Sequence, residues 1–190
     1  SLAGLPTKKA PGTTSAIVEA DPHLFTDENI PYFADVLLAG AQKGLSNVQF
    51  NVVSAETLLD AQEHGWFAEE RNILDMGCGT GVLGIMAKKC GAVSVVAVDI
   101  DDKSVANTQE NAVANAVELD VRLDSTPPEG HYDLIMANIH RNILLAQMPA
   151  YAAYLKTDGE LWLSGFYEED VAALSQAAHE YGLCVIETRN

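Results

Sequence analysis

No run of 18 or more apolar residues occurs in this chain of 190 residues, so no stretch has the length to cross a bilayer as a helix. The amino terminus lacks the charged-then-apolar order of a secretory signal. Cysteine is scarce: Cys78, Cys90 and Cys184 are scattered without metal-ligand spacing, and His23, His64, His131 and His179 form no ligand pattern either. A metal site is therefore not expected, and free thiols point to a reducing, cytoplasmic setting. Positive charge is scarce as well. Lys and Arg number 11 against 27 Asp and Glu, a formal net charge of −16 at pH 7. Such a field repels nucleic acid, whose binding is dominated by phosphate neutralisation. It favours a basic protein or a cationic small molecule, with no direct nucleic-acid or membrane partner. A hydrophobic fraction of 48% is ordinary for a soluble chain, and the length suffices for one α/β domain with an appendage. The first residue, Ser1, is read as a sign of a processed chain or a fragment.

What is present is a strand, a glycine-dense turn and an apolar helix in immediate succession. Ile73-Leu74-Asp75-Met76-Gly77-Cys78-Gly79-Thr80-Gly81 leads into Val82-Leu83-Gly84-Ile85-Met86-Ala87. Alternate glycines let the backbone bend sharply and let a ligand lie on the main chain. The first amides of the helix stay unpaired and receive a polar cofactor. Gly79, Gly81 and Gly84 satisfy the G-x-G-x-x-G spacing, so a dinucleotide site is one reading. Asp75 argues against it: a carboxylate about 5 Å from a pyrophosphate is repelled by roughly 3 kcal/mol at an effective dielectric near 20. The same carboxylate suits a ligand carrying an ammonium group and a sulfonium. Asp99, twenty positions after Gly79 and ending the next apolar run, is placed to accept from ribose hydroxyls. Asp101 and Asp102 are read as helix amino-terminal caps.

Residues 1–22 read as loop. Helical spacing from about Thr26 to Lys43, a strand over Asn47 to Val53 and a helix from Ser54 to about His64 follow. From Arg71 a βα alternation indicates a doubly wound parallel sheet with helices on both faces. Helices are expected over Val82–Cys90, Lys103–Ala116, Asn142–Lys156 and Glu168–Tyr181. The inner stripes are Val105, Ala112, Val113 and Ala116 in the second helix, and Leu144, Met148, Tyr151 and Leu155 in the third. In the fourth helix they are Val171, Leu174, Ala178 and Tyr181. Pro149 is expected to kink or restart the third helix. Strands are expected over Ser94–Val98, Asp120–Leu123, Asp133–Ala137, Glu160–Ser164 and Leu183–Glu187.

The Asp75-Met76-Gly77-Cys78-Gly79-Thr80-Gly81 turn, the Ala97-Val98-Asp99-Ile100-Asp101 strand end and Tyr132-Asp133-Leu134-Ile135-Met136-Ala137-Asn138-Ile139 resemble class I S-adenosylmethionine-dependent methyltransferases. Ala137-Asn138-Ile139-His140-Arg141-Asn142-Ile143-Leu144-Leu145 and Leu163-Ser164-Gly165-Phe166-Tyr167 resemble, more narrowly, the bacterial methyltransferases that modify ribosomal large-subunit protein eleven. The resemblance runs from about Arg71 to Asn190. It implies a Rossmann-like domain over 66–190 behind a leading segment, 1–65. It implies S-adenosylmethionine held by Asp75, Gly77, Cys78, Gly79, Gly81, Asp99, Ile100, Asp124 and Asn138, with Asp124 facing the adenine amino group. It further implies methyl transfer to amino groups of a ribosomal protein, with Asn138 as the catalytic residue that aims the acceptor amine. His140 as a proton acceptor is the lesser option, and Arg141 either meets a substrate carboxylate or caps carbonyls.

Three family features are not found: a separate recruiting domain, a glycine- and threonine-rich loop just before the first motif, and the final antiparallel strand. Pro11-Gly12-Thr13-Thr14-Ser15 resembles that loop only faintly and lies far upstream. Residues 26–64 resemble the region before the glycyl loop of glycyl radical enzymes, without the loop itself. The alternatives to a protein methyltransferase are a nicotinamide-dependent oxidoreductase and a non-catalytic, truncated remnant.

Overall fold

The computed structural model of the protein describes residues 58–186. The expectations for residues 1–57 and 187–190 lie outside the described residues. A parallel sheet is built from β1 (Asn72–Met76), β2 (Ser94–Asp99), β3 (Asp120–Leu123), β4 (Tyr132–Asn138) and β5 (Leu155–Ser164). Its strand order is β3-β2-β1-β4-β5, and every neighbouring pair is parallel. The helices are α1 (Val82–Cys90), α2 (Asp102–Ala114), α3 (Arg141–Tyr154) and α4 (Val171–Glu180), the last preceded by a 3-10 turn, Glu168–Asp170.

Because side chains alternate along a strand, β1 and β4 feed two cores at once. Ile73, Leu134 and Met136 pack with Val82, Leu83, Ile85, Met86 and Ala112 on the α1/α2 face. Leu74, Met76, Ile135 and Ala137 pack with Leu144, Met148, Tyr151, Leu174 and Ala178 on the α3/α4 face. Residues 58–63 are helical, and Leu58, 1% exposed, belongs to the first cluster. Gly65 closes that helix in the left-handed conformation, φ 77°. The strand order reverses between β1 and β4, so the crevice outside their carboxyl ends is where a doubly wound sheet takes its ligand.

The opposite, amino end of the sheet is braced by charge. Asp133 accepts from the Asn72 amide at 2.7 Å, from Lys156 Nζ at 2.8 Å and from Arg71 at 3.5 Å, tying β1, β4 and β5 together. Burial works against its charge, but the Asn72 amide, Lys156 and Arg71 outweigh it and hold the carboxyl below its ordinary range.

Four expectations are corrected. The buried face of α2 is Thr108, Asn111 and Ala112, while Val113 is 80% exposed: this helix turns polar residues inward, which a hydrophobic stripe cannot reveal. Pro149 lies inside a helix that continues on both sides of it. That helix ends at Tyr154 because Leu155 already pairs with Tyr132; an irregularity before the Leu134–Glu160 pair then takes up the turn at Asp158, φ 63°. Residues 183–186 are not a strand, and Ile186 is 89% exposed.

Candidate functional site

At the carboxyl edge of β1 the chain makes three left-handed glycines, each for a different reason. Gly77 (φ 71°) packs on the exit of β4, where a Cβ would lie 2.7 Å from Ile139 Cγ2. Gly81 (φ 79°) packs on α2, where a Cβ would lie 2.7 Å from Thr108 Cγ2. Gly79 (φ 59°) would meet nothing within 4 Å, so of the three it alone presents its bare backbone to open space. That is the position at which a ligand can approach the main chain.

Two carboxylates hold this turn. Gly81, at the N-cap of α1, has no side chain to satisfy the first amides of the helix. Asp75 does so from the strand beneath, accepting from the Gly84 amide at 3.0 Å. It is 4% exposed. Burial pushes its carboxyl up to about 7; the Gly84 bond opposes this and the nearby charge of Asp99 adds to it. Asp99 accepts from the Gly79 amide at 2.9 Å through one oxygen and from the Asp101 amide at 2.9 Å through the other. Each oxygen keeps a lone pair for a ligand donor. Ile100, beside it, is 75% exposed and offers an apolar face.

Cys78 is turned inward. Its amide donates to Val98 O, its Sγ lies 3.4 Å from Thr108 Oγ1, and burial drives its thiol far above the ordinary range. Its side chain packs the turn, and the same burial disfavours a reactive thiolate there. Asp124 follows β3, its amide bonded to Asp99 O at 3.0 Å. Its Oδ1 accepts from the Ser125 and Thr126 amides, which lower its pKa together with the Thr126 hydroxyl.

Asn138 ends β4 in register with Ser164 of β5, whose hydroxyl donates to Asn138 Oδ1 at 2.9 Å. A Cβ on Gly77 would come 3.4 Å from Asn138 O, so the Asn138 strand end borders the glycine turn directly. The fold thus brings Asp75, Gly77, Gly79, Gly81, Asp99, Ile100, Asp124 and Asn138 to one edge of the sheet. His140 is the exposed N-cap of α3 and makes no side-chain capping bond. Arg141 forms an ion pair with Asp170 at 3.0 Å, fastening the first turn of α3 to the connection after β5. Sequence reasoning missed Thr108, Asn111 and Ser164, because their contacts with the site join residues 26 to 31 apart.

Residues 54–190 match the family model described as ribosomal protein L11 methyltransferase (PrmA). A relative of that name from Porphyromonas gingivalis is 50% identical over 122 residues, 62% of this chain and 42% of its own. Another from Bacteroides fragilis is 38% identical over 134 residues, 68% of this chain and 46% of its own. The chain therefore spans less than half the length of these curated relatives. The crystal structure of a ribosomal protein L11 methylase from Lactobacillus delbrueckii subsp. bulgaricus superposes with a TM-score of 0.64 at 30% identity, covering 73% of each chain. The T. thermophilus 16S rRNA N2 G1207 methyltransferase, solved with AdoMet and guanosine, gives 0.54 at 26% identity, covering 67% of this chain and 37% of its own. The family match takes in residues 54–64, and the likeness of 26–64 to a glycyl radical enzyme finds no support. By this match, over the domain that carries the glycine turn and the Asn138 strand end, the chain belongs to the ribosomal protein L11 methyltransferase family.

Proposed function

We propose that the crevice binds S-adenosylmethionine and that the protein serves methyl transfer to amino groups of a ribosomal protein, in the cytoplasm. The observation that carries this is the buried Asp75 carboxyl beneath the glycine turn. Its bonded partner is an amide and the charge that acts on it is another carboxylate, Asp99, so among the described residues no cation balances its ionised form. A ligand bearing an ammonium and a sulfonium supplies that cation; a diphosphate would add to the repulsion. The remaining groups fit the same ligand: bare backbone at Gly79, spare acceptor capacity on Asp99 and an apolar face at Ile100. Asp124 stands next to them for the adenine amino group.

When bound, S-adenosylmethionine supplies an electrophilic methyl group on a sulfonium centre. The chain's task is alignment, with reacting atoms brought to roughly 3–3.5 Å. An acceptor lysine must present a neutral amine, which costs about 4 kcal/mol near pH 7.4 from a reference pKa near 10.4. Asn138 Oδ1, already oriented by Ser164, accepts from an amine N–H and directs the lone pair into the crevice. The net charge of −16 favours a basic protein as the partner.

Calorimetric titration should give micromolar binding of S-adenosylmethionine and none of a nicotinamide dinucleotide. A labelled-methyl assay on ribosomal protein L11 should show transfer, and Asn138→Ala should lower it at least tenfold at saturating cofactor, beyond any loss of cofactor affinity. Saturable nicotinamide binding without a response to S-adenosylmethionine would overturn the proposal.

A further inference from the structure

Two of the three buried residues of α2 are polar. Thr108 is 0% exposed and Asn111 is 4% exposed. They lie one helical turn apart, and both reach the glycine turn rather than their own helix. Thr108 Oγ1 donates to Gly79 O at 3.0 Å and Asn111 Nδ2 donates to Thr80 O at 2.9 Å. Two successive carbonyls are thereby drawn toward α2. Because the peptide unit is planar and trans, the amide that follows each carbonyl points the opposite way. The Gly81 amide closes the turn onto Cys78 O at 2.8 Å, and the Thr80 amide is directed away from α2. The methyl of Thr108 completes the grip, since only a glycine at position 81 leaves it room. In the same turn the Thr80 hydroxyl, on a residue 2% exposed, has no hydrogen-bond partner among the described residues.

We propose that Thr108 and Asn111 are positioning residues for the methyl donor: they set the peptide planes of the Gly79–Gly81 turn, and with them its affinity for S-adenosylmethionine. This rests on the reading of the crevice given above. It assigns to α2, through contacts behind the turn, a share of the binding that the turn displays.

The test is calorimetric titration of S-adenosylmethionine into the chain and its variants, beside thermal melts. Thr108→Val keeps the shape and removes the donor; Asn111→Ala removes the other. Each should weaken binding about tenfold, because the amides of the turn are no longer held in the binding orientation. Thr108→Ser restores the hydroxyl and should return affinity to within about twofold of the starting protein. Ala112→Gly loosens the same stretch of α2 without touching either carbonyl bond, and should lower the melting temperature while leaving affinity alone. If Thr108→Val and Asn111→Ala lower the melting temperature as Ala112→Gly does yet bind within twofold of the starting protein, both residues are structural only and the proposal fails. Should Asn111→Ala not fold, the valine and serine variants decide by themselves. Absence of binding to the unaltered chain would be a different failure, that of the cofactor assignment itself, and would take this inference with it.

Discussion

Replacing Asp75 by asparagine separates the two duties of this side chain. Asparagine keeps the size and still offers an oxygen to the Gly84 amide, which Asp75 now bonds at 3.0 Å, so α1 retains its cap. Only the charge is removed. In the folded chain burial raises the carboxyl to about 7 from an ordinary value of 3.8. Between these values the native state holds a proton that the unfolded state has released, so stability falls as pH rises through this window. Roughly three pKa units correspond to about 4 kcal/mol, all of it lost by pH 8. Asp75→Asn has no such slope, so without cofactor it should gain on the parent protein steadily from pH 4 to 7 in urea titrations.

The cofactor should reverse the order. A cation about 5 Å from an ionised carboxylate gains roughly 3 kcal/mol at an effective dielectric near 20, so Asp75→Asn should bind S-adenosylmethionine up to about a hundredfold more weakly at pH 8. Near pH 7 the parent protein should release a fraction of a proton on binding, seen as a dependence of the calorimetric heat on buffer ionisation enthalpy. A stability difference independent of pH, or equal affinity for the donor, would refute the assignment of a buried, cation-seeking charge to Asp75.

The glycines of the turn should separate by what lies behind them. Gly79→Ala meets open space and should cost only the left-handed strain of about 1–2 kcal/mol while blocking ligand approach. Gly81→Ala adds a collision with Thr108 and should be clearly the less stable of the two in thermal melts. Asp133→Ala leaves the Asn72 amide and Lys156 without their acceptor and should cost about 3 kcal/mol in urea unfolding. In the parent protein that stability is present above the ordinary carboxylate value and should drain away as pH falls through the depressed pKa of Asp133. Cys184 is exposed, whereas burial lifts the Cys90 thiol to about 11 and the Cys78 thiol further. Brief alkylation of the native chain at pH 8, read by mass spectrometry, should therefore mark Cys184 alone among these three.

Local spacing carried a great deal of this protein. The run from Ile73 to Cys90 announces strand, turn and helix, because apolar period and glycine placement act over a few residues and need no partner. For the same reason β3 is found where expected, α1 keeps its bounds, and Asp99 stands at the end of β2. The inner face of α2 was legible only at Ala112, because its other buried residues, Thr108 and Asn111, are polar and bond carbonyls 29 and 31 positions away. The early start of β5 was illegible: Leu155 leaves the helix to pair with Tyr132, a partner that exists only once the sheet is assembled.

Residue type and order thus determined which polar groups stand at the carboxyl edge of the sheet: a carboxylate before the glycines, a second after the next strand, and an asparagine at the fourth strand's end. Tertiary structure alone decided how they are used. Folding buries Asp75, so a solvated acid becomes one that titrates near neutrality. It sets Ser164 behind Asn138 and α2 behind the turn, fixing which atoms face the crevice. The reason is physical: desolvation and hydrogen-bond direction belong to surroundings contributed by distant parts of the chain, and come into being only when those parts meet.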